Sequence, residues 1–504
     1  MNEIVTLDGS TLSTEALMKI ARGAECRLDD AARARMDVSA GWFESASESG
    51  VLREKSAWLA GVDSVVADRD LVRGFVLSHC AGIGAPLEPG VVRATMAARV
   101  NVLAVGMSGC RSVCADTLIA MLNRNVVPIV PSRGAVGAAG STPLAHMLRV
   151  ACGYGGQAWR DGRTLSAMKA MDGIRYLQPT EKEALSLING STLTAAMAGL
   201  VCSFARSLLH TAEAACALSF EVVRADLDCL NHESLAARNH TGAVKVARRI
   251  RARVHGSEMV SEGRTPDPFS IRCAPVVLGA AWDVFLQVER LVERELNGAC
   301  DNPLLVGPNK IVEGGNFHGA PLAMAMDFLK VALTEVAAVS ERRTFRMTYG
   351  QLSGLPSFLV HGTGTNSGLM LAQYTAASLV SECKVWSHPA SVDSIPTAQH
   401  QEDHVSMGPI AARAAWQISH ALADVLAIEL MCGAQGLDFR LNGDGVDEHG
   451  NRMKTEPLQA GEGTLKTYQE VRGLVARWEE DRVLHPDLES LGRAVRRGEF
   501  SPAS

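Results

Sequence analysis

The sequence predicts an all-α protein, with a bundle of long helices and a smaller, more irregular N-terminal region. Three observations carry this reading. From about residue 195 to 440, apolar side chains recur at spacings of three and four. Between Pro321 and Arg343, for example, Leu322, Met326, Leu329, Leu333 and Val336 form one stripe. Similar stripes run from Thr192 to Leu218, Pro275 to Glu295, Asn366 to Lys384 and Ala411 to Leu437. The composition, 47% hydrophobic and 21% charged, is that of a well-packed globular chain. Its 504 residues exceed one ordinary core.

The elements follow in order. Ser13 and Thr14 are placed to cap a first helix, with Glu15 in its opening turn and Ala16, Leu17, Ile20 and Ala21 on one face. Val91 to Leu122 is again helical in pattern. Asn125 to Ala139 reads as irregular, because Pro128, Pro131, Gly134 and Gly137 break any regular element. Long helices rich in Ala and small residues pack closely on one another and on other subunits. The tail after Asn442 is rich in Gly, Asp and Glu and ends in an amphipathic helix around Thr467 to Trp478. With no repeat or linker to mark boundaries, the change in character divides the chain into 1–195, 196–440 and 441–504.

Charge and cysteine usage exclude several classes. A formal net charge of −6 steers the chain toward neither nucleic acid nor an anionic membrane. The 12 cysteines are scattered among apolar runs, as thiols in a reducing compartment are. Cys110 and Cys114 have i, i+4 spacing but no nearby ligands, which favours packed thiols over a metal site. The N-terminus carries Glu3 and Asp8 rather than a basic start and an apolar run. Two long apolar helices are interrupted by charges, Asp327, Lys330 and Glu335 in one and Arg413, Asp424 and Glu429 in the other. The expectation is a cytoplasmic protein with no nucleic-acid or membrane partner.

The most distinctive segment is Gly134-Ala135-Val136-Gly137-Ala138-Ala139-Gly140-Ser141-Thr142-Pro143-Leu144-Ala145-His146. Other motifs occur in order: Leu7 to Thr11, Ser78-His79-Cys80-Ala81-Gly82, Leu187-Ile188-Asn189-Gly190 and Ser270-Ile271-Arg272-Cys273. Asp301-Asn302-Pro303, Gly314 to Gly319 and the run from His388 to Gly408 complete the series. Together they resemble the aromatic amino acid ammonia-lyases, the histidine enzymes most closely. The resemblance implies a helical bundle of the ammonia-lyase/aspartase-like type and a homotetramer whose active sites draw residues from more than one subunit. It also implies a cofactor, methylidene-imidazolone, made by cyclisation of an Ala-Ser-Gly triplet.

That chemistry explains the residue types. Only a β-hydroxyl can leave as water to give the electrophilic methylene, a tyrosine on an N-terminal loop removes the β-proton, and an arginine holds the α-carboxylate. Here the triplet reads Ala138-Ala139-Gly140, and the family's Asp-Leu-Ala is shortened to Ser141-Thr142. Ala139 has no hydroxyl to eliminate, so the cofactor is expected to be absent. A Gly140-Ser141-Thr142 triplet is the remaining candidate, disfavoured because the β-branched Thr142 crowds the attacking nitrogen. The tyrosine loop aligns near Ala57 to Val65, where Trp58 stands, and the first tyrosine in the chain is Tyr154. A second family tyrosine is replaced by Phe269. Three hydroxyls of one reaction are missing together.

What remains is the binding shell. By resemblance Arg272 stands at the carboxylate clamp and Asn189, Asn316, His79, Glu402 and Phe269 at pocket positions, with His400 where the family usually has Asn. The repurposed-enzyme reading uses His79 and Glu402 as acid–base groups. A lone His or Asn is equally read as a satisfied buried polar group. Arg272 and Glu402 are harder to dismiss, since charges in a helical core are costly unless used. His400 and His404 stand i, i+4 apart, but Gln401 fills the slot where zinc peptidases carry Glu, so no metal is expected. The leading reading is a repurposed enzyme acting on an amino-acid or aryl-carboxylate ligand. A non-catalytic relative or partner subunit, and residual ammonia-lyase activity, are the alternatives.

Overall fold

Ser13 accepts a hydrogen bond from the Ala16 N–H at 3.1 Å and opens the first helix, α1 (Thr14–Ala21), on which Leu17 and Ile20 are buried. The computed structural model describes residues 4–48, 69–137, 141–263, 267–308, 310–362, 364–447 and 451–502. They fall into two compact units. The first takes Met1–Ser203, Val288–Asp327 and Pro389–Arg413, and the second Phe204–Gln287, Phe328–His388 and Ala414–Ser504.

In the first unit the short strands β1 (Ile4–Leu7) and β2 (Glu25–Leu28) pair in parallel around α1. The helices α2 (Asp30–Glu48), α3 (Arg69–Ser78), α4 (Pro89–Ala104) and α5 (Ser112–Asn123) follow. α4 is buried on almost every side and packs on α1 and α5. Its buried Arg93 is satisfied by carbonyls: Nε donates to Ile20 O, Nη1 to Leu122 O and Nη2 to Ala24 O. One guanidinium thus ties together the C-terminal ends of α1 and α5, where carbonyls lack helical partners. The helical pattern across Val91–Leu122 is therefore two helices. The chain leaves the helix at Gly106, whose φ of 83° suits a glycine.

The stretch 125–139 is not wholly irregular. It holds β4 (Val127–Pro128) and β5 (Pro131–Arg133), the latter pairing antiparallel with β3 (Ile83–Pro86). β4 joins the hairpin of β6 (Gln157–Arg160) and β7 (Arg163–Ser166). Strands of two to four residues carry too little alternation to read from sequence. Beyond β5 lie α6 (Thr142–Ala151) and α7 (Glu181–Ile188), the second opened by a Thr180/Glu183 capping box.

Each apolar stripe corresponds to a helix: α8 (Thr192–Val222), α9 (Ala274–Leu296), α10 (Ala320–Thr348), α11 (Met370–Trp386) and α12 (Gly408–Leu441). Leu322, Met326, Leu329, Leu333 and Val336 of α10 are all 0% exposed. In the second unit Arg343 and Glu429 form a fully buried ion pair that also receives the hydroxyls of Ser219 and Ser340. The tail contributes α13 (Glu462–Leu474) and a further helix, α14 (His485–Arg497), which the sequence reading missed. Pro486 at its first turn and Gly498 at its end are the signals that mark it. The run Glu181–Val222 is by length and composition apolar enough to cross a membrane, but its apolar window is wholly buried inside the protein.

Candidate functional site

The segment leading out of β5 is strapped to the start of α12. Ser406 Oγ and the Gly319 N–H both donate to Gly137 O, at 2.9 and 3.2 Å, and the Met407 N–H donates to Val136 O at 2.8 Å. Gly137 has φ of 88°, and a Cβ there would run into Ser406, so only glycine fits this crossing. On the far side of residues 138–140, Ser141 stands at the N-cap of α6, and its N–H donates to Ile188 O at 2.7 Å. Between these two anchors lies a cavity of about 210 Å³. Gly134 to Gly137 and Ser141 line one side, Gly190, Ser191, Leu193 and Thr194 another, and Thr397, Glu402 and Pro409 a third.

Glu402 is the predicted acid–base residue that the structure puts in this cavity. It is half-buried and accepts a hydrogen bond from Thr397 Oγ1. The turn between them is forced: Ala398, Gln399 and His400 all have left-handed φ, 46°, 53° and 69°. Three consecutive non-glycine residues in that region store strain, which is found where a side chain must be aimed. His400 itself is exposed. His404 stacks on the His318 ring, 5.3 Å between centroids, and the residues from Gln401 to His404 are not helical.

His79 follows the end of α3. Its Nδ1 lies 2.8 Å from Phe75 O, and its ring packs 4.4 Å from the Phe75 ring. A carbonyl can only accept, so Nδ1 carries the proton and Nε2 is the basic nitrogen. Three residues on, the Gly82 N–H donates to His146 Nε2 at 3.3 Å. Burial, then the nearby Arg149, draws that imidazole below its ordinary value.

Asn189 does not line the cavity. At 2% exposed, it spends its Nδ2 on Asp301 Oδ1 and Asn302 O, supporting the wall that Gly190 and Ser191 present. Behind it, Arg99 and Lys182 are fully buried and pair with Asp301. Asn316 is exposed, with Nδ2 3.4 Å from Ala299 O. Arg272 and Phe269 belong to the other unit. They close a single helical turn on which the guanidinium lies 4.9 Å over the exposed Phe269 ring. Arg272 is itself exposed and so is not the core charge the sequence suggested. Ala138, Ala139, Gly140 and the stretch Ala57 to Val65 with Trp58 lie outside the described residues.

Sequence reasoning missed Thr397, Ser191 and the Arg99–Lys182–Asp301 cluster. Hydroxyls carry little signal alone, although Ser191 directly follows the Asn189-Gly190 motif. Cys110 and Cys114 are both buried free thiols, Cys110 just ahead of α5 and Cys114 in its first turn. The Cys110 hydrogen bond, then burial, pushes the Cys114 thiol well above its ordinary value.

The aromatic amino acid lyase profile matches residues 12–473. The chain belongs to that family. It is 40% identical to a histidine ammonia-lyase of Caldanaerobacter subterraneus subsp. tengcongensis, with 98% of this chain and 97% of that protein covered. Among solved structures, the histidine ammonia-lyase of Trypanosoma cruzi is 35% identical with a TM-score of 0.88, covering 99% of this chain and 94% of the other. A tyrosine aminomutase from Streptomyces globisporus is 31% identical with a TM-score of 0.89 and is covered in full. Lyase-family membership and a mostly helical fold therefore agree with the motif resemblance.

Proposed function

We propose that this aromatic amino acid lyase family member binds a small amino-acid or aryl-carboxylate ligand without methylidene-imidazolone, and acts on it as a repurposed enzyme. The carrying observation is Ala139, an alanine where cyclisation needs an eliminable hydroxyl. Ser141 is a poor substitute. Its N–H, which ring formation would consume, is bound to Ile188 O, and the Thr142 nitrogen that would attack opens α6. These residues do not fit the group.

In this reading Glu402, aimed by the strained turn and held by Thr397, and His79, with Nε2 basic, are the proton-handling groups. Arg272, backed by the Phe269 ring, clamps the carboxylate, and the exposed Asn316 and His400 are further ligand contacts. A planar guanidinium keeps its charge and meets a carboxylate through two parallel hydrogen bonds. The assembly proposed is a cytoplasmic homotetramer.

Two measurements test the reading. The intact mass should equal the encoded chain, apart from loss of the initiator methionine. A deficit of two waters in the peptide spanning Val136 to Thr142 would overturn the cofactor claim. Aromatic and imidazole amino acids, and their deaminated acrylates, should include members that raise the melting temperature by mass action on the native state. Arg272→Met should abolish that rise with the oligomer intact. A panel that shifts nothing removes the ligand-binding reading, and binding without turnover of any bound member would favour a non-catalytic relative.

A further inference from the structure

Ser191 is 3% exposed and lines the cavity, yet its hydroxyl has no hydrogen-bond partner among the described residues. Its carbonyl accepts the Ala195 N–H at 2.9 Å, so Ser191 occupies the N-cap of α8, a helix of 31 residues. A serine at that position ordinarily turns its oxygen back onto the helix amides. Here it does not, and the opening N–H groups of Thr192, Leu193 and Thr194 have no intrahelical acceptor. Leu193 and Thr194 line the same cavity. Ser141, on the facing wall, makes no side-chain cap on α6 either.

The charge behind this wall points the same way. Arg99 Nη1 donates to Asn189 O at 2.7 Å and to Thr192 Oγ1 at 3.0 Å, directly at the first turn of α8. Arg99 and Lys182 are both 0% exposed, and among the described residues Asp301 is the one carboxylate they share. Arg99 and Lys182 put two buried cations beneath the helix start, with Asp301 as their shared partner and Glu295 acting on the nearby Cys300, and the positive end of the helix dipole adds to them. An uncapped helix start, an unpartnered buried hydroxyl and buried cations beneath them are the components of an oxyanion site.

We propose that this cavity takes a carboxylate-sized oxyanion on the Ser191 hydroxyl, the Ser141 hydroxyl and the opening amides of α8. The proposal rests on the ligand-binding reading only in using the same cavity, and it adds an acidic position built from residues other than Arg272. The oxyanion is either a carboxylate of the ligand itself or a separate small anion. Glu402 on the third wall repels it, which gives the site a test with two opposite signs.

The probe is formate, titrated calorimetrically into the full-length protein. Ser191→Ala, which removes one hydrogen bond to a charged group, should weaken formate by about tenfold or more. Glu402→Gln, which removes the like charge, should tighten it. Formate that fails to bind wild type, or that binds Ser191→Ala unchanged, overturns the site. Formate competing with a monocarboxylate from the ligand panel makes the ligand's own carboxylate the occupant, and independent binding of the two makes it a separate anion. If no panel member binds while formate responds to both substitutions, the ligand reading falls and the oxyanion site stands. If a panel member binds equally to wild type and Ser191→Ala and formate is silent, the site falls and the reading stands.

Discussion

In the proposed reading, the methyl group of Ala139 where cyclisation needs a hydroxymethyl is one of three losses. The others are Trp58 and Phe269, which the resemblance sets at positions of tyrosine hydroxyls. Ala139→Ser alone is therefore expected to release no urocanate from histidine and no cinnamate from phenylalanine at rates typical of enzymes. Ultraviolet absorbance of the products checks this, and turnover by the single variant would show that the tyrosine positions were misjudged. Near the cavity, Asp301 is paired with both Arg99 and Lys182. Burial by itself raises its pKa, but Lys182 and Arg99, with hydrogen bonds from Ser186 and the Asn302 N–H, hold it below the ordinary carboxylate value. A folded-state value below the unfolded one means the stabilisation is present above the unfolded pKa of about 4 and is lost as pH falls through the lowered value. Asp301→Asn leaves two buried cations without their anion and should cost about 3–5 kcal/mol at neutral pH. Urea unfolding from pH 6 down to 3 should show wild type losing stability on acidification and the variant losing less of it, since this group no longer titrates.

At the level of elements, legibility followed burial geometry. α10 was readable because one face is buried and the other is not, so Leu322, Met326, Leu329, Leu333 and Val336 stand out at helical spacing. α4 is buried all round, so nothing in its apolar pattern shows where it stops, and the break at Gly106 was invisible between two apolar runs. Glu402 was legible because it sits in a long, ordered motif. Thr397 and Ser191 were not, because what matters about them is geometric: one holds Glu402, and the other has a buried hydroxyl left unspent. The turn Ala398–His400 is likewise set by tertiary structure, since neither Ala398 nor Gln399 favours a left-handed backbone. Gln399→Gly should relieve the strain at φ of 53° and stabilise the fold, by on the order of 0.5–1 kcal/mol. The same change should loosen the Thr397–Glu402 contact that the turn enforces. A higher melting temperature with weaker ligand binding is the expected pair of results, and a lower melting temperature would show that the turn is not strained.

For the whole molecule, the second unit carries apolar surface that a lone chain has no reason to expose. Phe328 and Val331 on α10 are 66% and 51% exposed, and Leu371 and Tyr374 on α11 are 49% and 59% exposed. The spacing from Phe328 to Val331, and from Leu371 to Tyr374, puts each pair on one helix face. Complete burial of a large apolar side chain is worth about 1.5–3 kcal/mol. With roughly half of each already covered, four such groups offer about 3–6 kcal/mol per subunit. Exposed apolar faces mark interaction surfaces, and where identical chains associate closed symmetry is the usual outcome. Light scattering at micromolar concentration should therefore report a tetramer. Replacing Phe328 and Tyr374 together with glutamate puts charge into that contact and should shift the protein to smaller species with helix content retained, as read by circular dichroism. A wild-type monomer at that concentration, or a double variant that stays tetrameric, would show that these faces are not what holds the subunits together.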